Sequence, residues 1–152
     1  MKLRSHITFK SIGKVQSNLG ENDIGLHSTK HAAKVSTLVI DNRFGSALDG
    51  IKSYSHLIVI FHMHKVGRTK GLKIHPRGRK EITKVGLFAT RSPYRPNPLG
   101  LTVVELLERH RNVVKVKGLD AVNGTPTLDI KPYTHADVKR KIRTPKWTRL
   151  FE

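Results

Sequence analysis

Three arrangements of side chains in this sequence are able to do chemistry. In residues 56–65, His56, Ile58, Ile60, His62 and His64 alternate, so an extended strand carries them on one face. His62 and His64 then form an H-x-H pair of imidazoles. No cysteine or neighbouring carboxylate completes a ligand set, so satisfied or solvated histidines are the competing reading and no metal is expected. In residues 129–133, Asp129 and Lys131 share a strand face, with Tyr133 two positions on. A carboxylate beside an ammonium can accept a proton, or the pair can simply brace a hairpin. In residues 91–100, Arg91 and Arg95 are set among Pro93, Pro96 and Pro98. The prolines stiffen an extended ribbon, which fixes two guanidiniums suited to bidentate contact with carboxylate or phosphate. A rigid structural crossover with two surface arginines is the alternative.

The overall charge suggests what such groups meet. Of 152 residues, 29 are Lys or Arg and 11 Asp or Glu, a formal net charge of +18. Residues 65–84 hold Lys65, Arg68, Lys70, Lys73, Arg77, Arg79, Lys80 and Lys84 against Glu81 alone. A second cluster, Lys139, Arg140, Lys141, Arg143, Lys146 and Arg149, lies near the C-terminus. A polyanion, nucleic acid above all, is the expected partner, and a solvated basic face the plain alternative. Contacts of this kind position a nucleic acid without reading its sequence.

The elements that must hold these groups are short and mostly extended. Strands are expected at residues 7–15, 35–41, 57–64, 86–90 and 127–130, and a hairpin at 101–107 and 113–119 with a charged tip at 108–112. Loops are expected at 16–34 and 66–79, a turn at Asn123-Gly124, helical turns at 46–54 capped by Ser46, and a short basic helix at 135–142. With no βαβ alternation, the fold class expected is mainly β: a small antiparallel β-barrel with short helices and long loops. The length suits a single domain, 1–152, ending in a basic tail from about residue 134. Zero cysteines exclude disulfides, thiolate nucleophiles and cysteine-held metal clusters. The absence of G-x-G, of a phosphate-loop Lys-Ser/Thr after either G-x-x-x-x-G spacing, and of H-E-x-x-H removes those chemistries. No apolar run approaches the roughly 18 residues of a membrane span, and the N-terminus lacks a signal-peptide core, so a cytoplasmic protein is expected.

Two long segments carry a specific resemblance. GLFATRSPYRPNPLGLT, residues 86–102, and GLDAVNGTPTLDIKPY, residues 118–133, resemble the signatures of the TsaA-like, TrmO-type family of tRNA methyltransferases. LDGI and YSHL, within 48–57, resemble a weaker third stretch, and the likeness runs over residues 12–133. The resemblance implies a small β-barrel that forms a homodimer and binds S-adenosyl-L-methionine outside the doubly wound fold. It also implies methylation of N6 of threonylcarbamoyl-adenosine at position 37 of tRNA. By motif match, cofactor contacts are expected at His64, Lys65, Arg91 and Leu101, and along Leu119, Asp120, Ala121, Val122 and Asn123. For the acceptor, Asp129, Lys131 and Tyr133 are the catalytic candidates, with His64 equally placed to act as a base. Arg68, Lys70, Lys73, Arg77, Arg79, Lys80, Arg95, Lys139, Arg140, Lys141 and Arg143 are the candidate tRNA-binding residues. A non-catalytic module that binds S-adenosylmethionine or RNA, and a methyltransferase for another acceptor, stay open as alternatives.

Overall fold

Alternating burial along each strand closes the chain into a barrel. The computed structural model describes residues 6–23, 32–67, 69 and 71–151. Six strands form the barrel: β1 (Gly13–Gln16), β2 (Val35–Ile40), β3 (His56–His62), β6 (Leu99–His110), β7 (Val113–Lys117) and β8 (Pro126–Pro132). Their order around the wall is β1-β2-β7-β6-β3-β8, and β8 pairs back onto β1. Every pairing is antiparallel. Closure leaves the barrel itself no free edge. The inward set includes Val15, Leu38, Ile40, Leu57, Val59, Phe61, Val104, Val114 and Val116, all buried. A side chain at Gly100 would overlap the ring of Phe61 on the paired strand, so glycine is required there. Bulges after Ile60 on the β3–β8 ladder and after Leu106 on the β6–β7 ladder bend the wall into closure.

Several element expectations change. The first strand shrinks to Gly13–Gln16, because β2 and β8 offer partners only from there; Ile7 and Phe9 stay exposed despite their alternation. The turns after β2 are 3-10, Asn42–Leu48 and Ile51–Ser53, and the cap is Asp41 rather than Ser46: the Asp41 carboxylate accepts from Arg43 N at 3.1 Å. The 66–79 loop contains β4 (Lys73–Ile74), which pairs with β5 (Val85–Gly86), and a 3-10 turn at Pro76–Gly78. The strand expected at 86–90 gives way after Gly86 to a 3-10 turn, Leu87–Ala89, closed by Thr90 N on Leu87 O. The β6–β7 hairpin runs longer than its charged residues suggested, with a tip of only Arg111 and Asn112. Alternate charged positions there face solvent, and Lys115–Glu108 and Lys117–Glu105 pair across the ladder. The basic helix at 135–142 reduces to one 3-10 turn, His135–Asp137, held by a capping box between Thr134 and Asp137.

Topology then sorts the connections by length. β1, β7 and β3 end at the same rim at which β2, β8 and β6 begin, so the connections from β1 to β2, from β7 to β8 and from β3 to β6 all leave the barrel and return to it at one mouth. The opposite end carries the Arg111-Asn112 tip and the 3-10 turns between β2 and β3.

Candidate functional site

The mouth is laced together by a small number of bonds. Met63 N donates to Pro98 O at 2.8 Å, which ties the end of β3 to the proline ribbon. Asn123 N donates to Leu19 O at 2.8 Å, the Asn123 side-chain oxygen accepts from Ser17 N at 3.1 Å, and Ser17 Oγ donates to Ala121 O at 2.9 Å. These bonds fasten the 17–23 segment to the 119–124 turn. Lys65 Nζ reaches Glu21 at 2.7 Å from the other side. That hydrogen bond and the ammonium charge hold the Glu21 carboxyl below the usual range. Asp120 accepts a hydrogen bond from the Thr102 hydroxyl. Leu119 and Ala121 are buried and anchor the turn to the core, which leaves Asp120 and Asn123 exposed.

Polar satisfaction is incomplete here. Among the described residues, three buried side-chain atoms have no hydrogen-bond partner: Ser36 Oγ, Thr127 Oγ1 and His64 Nδ1. Ser36 and Thr127 are the second residues of β2 and β8, and His64 follows β3, so all three lie at the mouth end. Buried polar groups are ordinarily paired with protein or water, so this end of the barrel holds hydrogen-bonding capacity that the described residues do not use. Burial, then the charges of Lys65 and His62, lowers the His64 pKa, which favours a neutral imidazole. Arg91 is exposed and has no hydrogen-bond or ion-pair partner among the described residues. Arg95, by contrast, is pinned: Nη1 donates to Thr90 O at 2.9 Å and Ser92 O at 3.4 Å.

The structure gathers some of the expected site residues and separates others. His64, Lys65 and the turn from Leu119 through Val122 to Asn123 belong to the mouth, and Arg91 sits on the connection between β3 and β6 that leaves it. Leu101 is on the outer wall, two residues below the rim, and is 59% exposed. Ile60 faces Leu101 across one ladder and Asp129 across the other, so Leu101, Ile60 and Asp129 form one row, about 10 Å from end to end. Asp129 pairs with Lys131 at 2.8 Å, one row further down opposite Ile58. Tyr133 N donates to His56 O and its ring meets His56 edge-on, roughly 13 Å below that row. Tyr133 is therefore not brought to the mouth. His62 stays on β3 but His64 leaves it, and among the described residues no group of three His, Asp or Glu side chains could hold a metal ion.

The two basic clusters meet. The 3-10 turn Lys146–Phe151 lies on the Pro76–Gly78 turn, with the Arg77 guanidinium 4.0 Å and that of Arg79 5.8 Å from the centre of the Phe151 ring. Arg79 also pairs with Glu81 at 3.1 Å. Lys73, Lys80, Arg140, Lys141 and Arg143 are exposed, and Lys139 caps Ala136 O at 2.9 Å. Arg68 and Lys70 lie outside the described residues. Sequence reasoning missed Phe88, 77% exposed beside Arg95, and the orphaned hydroxyls of Ser36 and Thr127. A phenylalanine just ahead of a proline-rich ribbon was a usable signal; the hydroxyls had none, because strand serines and threonines are usually satisfied.

Comparison with known proteins places this geometry. The family model of the tRNA-methyltransferase O N-terminal domain matches residues 14–137. A probable S-adenosyl-L-methionine-binding protein of Pyrococcus abyssi is 37% identical over 145 residues, covering 94% of this chain and 77% of that protein. The tRNA (adenine(37)-N6)-methyltransferase of Rattus norvegicus is 42% identical over 88 residues, 57% of this chain and 20% of that protein. The crystal structure of TrmO from Pseudomonas aeruginosa superposes with a TM-score of 0.75 at 30% identity, covering 94% of this chain. This chain spans 63% of the length of that solved structure. Among the described residues no helix is long and apolar enough to cross a membrane.

Proposed function

The chain belongs to the family of the tRNA-methyltransferase O N-terminal domain, and from that premise we propose that it transfers the methyl group of S-adenosyl-L-methionine to tRNA. The acceptor in this reading is N6 of threonylcarbamoyl-adenosine at position 37. The observation that carries it is the convergence of both signature segments on one mouth, where all three partnerless buried polar atoms of the described residues lie.

The residues present fit such a ligand. S-adenosylmethionine, when bound, supplies a methyl carbon made electrophilic by its sulfonium. Arg91, without a partner of its own, suits a carboxylate. The Asp120 carboxylate, oriented by Thr102, suits hydroxyl or ammonium donors. His64 offers a neutral imidazole nitrogen, and Lys65 braces the rim through Glu21. Leu101 and Ile60 give an apolar surface beside them. The N6 of a carbamoylated adenine is a weak nucleophile, so a proton acceptor near it helps. Asp129 fills that role, with Lys131 as its positioning residue: Oδ1 accepts from Ile130 N at 2.9 Å while Oδ2 faces Lys131 Nζ at 2.8 Å. His64 is the other candidate base. Much of the rate in such a transfer comes from alignment of the reacting atoms.

The same reading makes the protein a single-domain, cytoplasmic homodimer. Support for the dimer comes from the outer wall, where Leu99, Leu101 and Val103 are 40%, 59% and 43% exposed on adjacent outward positions of β6, beside Ile58 and Ile60 of β3. A second copy covering this strip would also close the site on its Leu101 side. The basic face joined by Phe151 would track the tRNA backbone. Nucleoside mass spectrometry of tRNA incubated with protein and S-adenosylmethionine tests the function. The expected product is the adenosine derivative heavier by one methyl group; donor binding without any methylated nucleoside would favour a binding module instead.

A further inference from the structure

Phe88 is a large aromatic side chain left in solvent. It is 77% exposed, on a 3-10 turn that is otherwise firmly held. Leu87 next to it is buried, Leu87 N donates to Leu72 O at 2.9 Å, and Thr90 Oγ1 closes the turn on Leu87 O at 2.8 Å. Leu87 and these bonds hold the backbone of the turn so that residue 88 is presented to solvent. The Arg95 guanidinium sits 5.6 Å from the Phe88 ring centre, near the outer limit of a cation–π contact, and is itself fixed by the carbonyls of Thr90 and Ser92. Leu72, 72% exposed, adds an apolar neighbour. The surrounding segments 71–75 and 84–95 contain Lys73, Lys84, Arg91 and Arg95 and no acidic residue.

An exposed ring with cations around it has a particular complement. A protein partner would need carboxylates set around an apolar patch to match both the ring and the cations. A strand of phosphates would match the cations but not the ring. An unpaired nucleobase on its phosphodiester backbone matches both, because each base offers a π-face and each linkage a negative charge. We propose that Phe88, steadied by Arg95, is a stacking platform for one unpaired base of the bound RNA. This rests on the tRNA reading above and adds to it a specific point of contact: the RNA is engaged at a single-stranded stretch, by stacking, beside the mouth. The rigidity of the turn matters energetically, since a preordered ring loses little freedom on binding.

The test uses the full chain and a tRNA anticodon stem-loop, with a second stem-loop made abasic at each loop position in turn. Phe88→Tyr keeps the π-face; Phe88→Leu keeps apolar bulk without it. The expected result is near-native affinity for Phe88→Tyr and a loss of roughly 5- to 100-fold for Phe88→Leu. One abasic position should cost wild type a similar factor and cost Phe88→Leu little. The slope of log affinity against log salt should be unchanged in Phe88→Leu, since phosphate contacts are untouched. Wild-type binding with no loss in Phe88→Leu overturns the platform and leaves the tRNA reading standing. No stem-loop binding by wild type overturns both. A change of sedimentation mass in Phe88→Leu, with RNA affinity intact, would reassign the ring to a protein interface and overturn the platform.

Discussion

The two ends of this barrel treat the same residue types in opposite ways. At the closed end, Arg109 spends its guanidinium within the fold: it donates to Arg111 O at 2.7 Å, to Asp49 Oδ1 at 2.9 Å and to Gly45 O at 3.0 Å. Asn112 donates to Ile40 O beside it. On the connection that leaves the mouth, Arg91 meets no partner, and at the mouth His64, Ser36 and Thr127 bury unpaired atoms. An arginine that satisfies itself contributes to stability, whereas one held out with its donors free is available to a ligand. Between Arg91 and Arg109, satisfaction rather than residue identity is the difference.

The largest expected effect attacks the wall between the two ends. Val103→Asp would place an unpaired carboxylate, twice over, in the proposed dimer interface, where burying a lone charge costs several kcal/mol. Sedimentation should give twice 17.1 kDa for wild type and a single chain for the variant. A wild-type monomer that still methylates tRNA would remove the partner from the site.

The two arginines give the most direct contrast. Arg91→Ala should weaken S-adenosylmethionine binding by about 1.5–3 kcal/mol, the range for a hydrogen bond to a charged group, with little change in melting temperature. Arg109→Ala should do the reverse: donor affinity stays as it was, while stability falls by about 1–2 kcal/mol from the lost internal bonds. Calorimetric titration and thermal unfolding of both variants decide the matter, and parallel behaviour would break the comparison.

A smaller effect concerns pH. The His64 pKa is lowered in the folded chain, so between that value and the ordinary one of about 6.5 the unfolded chain binds more protons. The stability this histidine contributes is therefore present above about pH 6.5 and lost as the pH falls toward the folded value. Melting temperature should decline on acidification below pH 6.5 more steeply in wild type than in His64→Gln. Superimposable profiles would mean that His64 does not titrate in this range.

Much of this was legible from local pattern. The apolar run of residues 57–61 and the valines of 113–116 marked strands, and three prolines in residues 91–100 excluded regular structure until Leu99. Patterning also misled. Ile7 and Phe9 alternate well but have no neighbouring strand, and the charged residues at 108–111 looked like a tip although the ladder continues through them. The run 135–142 has helical composition, yet after the Thr134–Asp137 capping box Val138 and Ile142 stay exposed with nothing to cover them, and one turn is all that forms. A strand or helix exists only if something pairs with it or covers it, and sequence spacing alone does not supply that neighbour.

By itself, the sequence determined the class of the molecule and the chemistry at its disposal: short strands closing on a β core, no thiols, an excess of cations, and two signature segments whose residue types suit an anionic and cationic ligand. The tertiary structure decided which of those groups stand together. Antiparallel pairing in the order β1-β2-β7-β6-β3-β8 brings both ends of the β1–β2, β3–β6 and β7–β8 connections to one rim. It sets Asp129 in a row with Leu101 while carrying Tyr133 away, and it leaves Arg91 free where Arg109 is bound. The physical reason is that strand composition fixes which face of each strand is buried, while strand order and the direction of each connection are set by the closure of the whole barrel, a property no single segment contains.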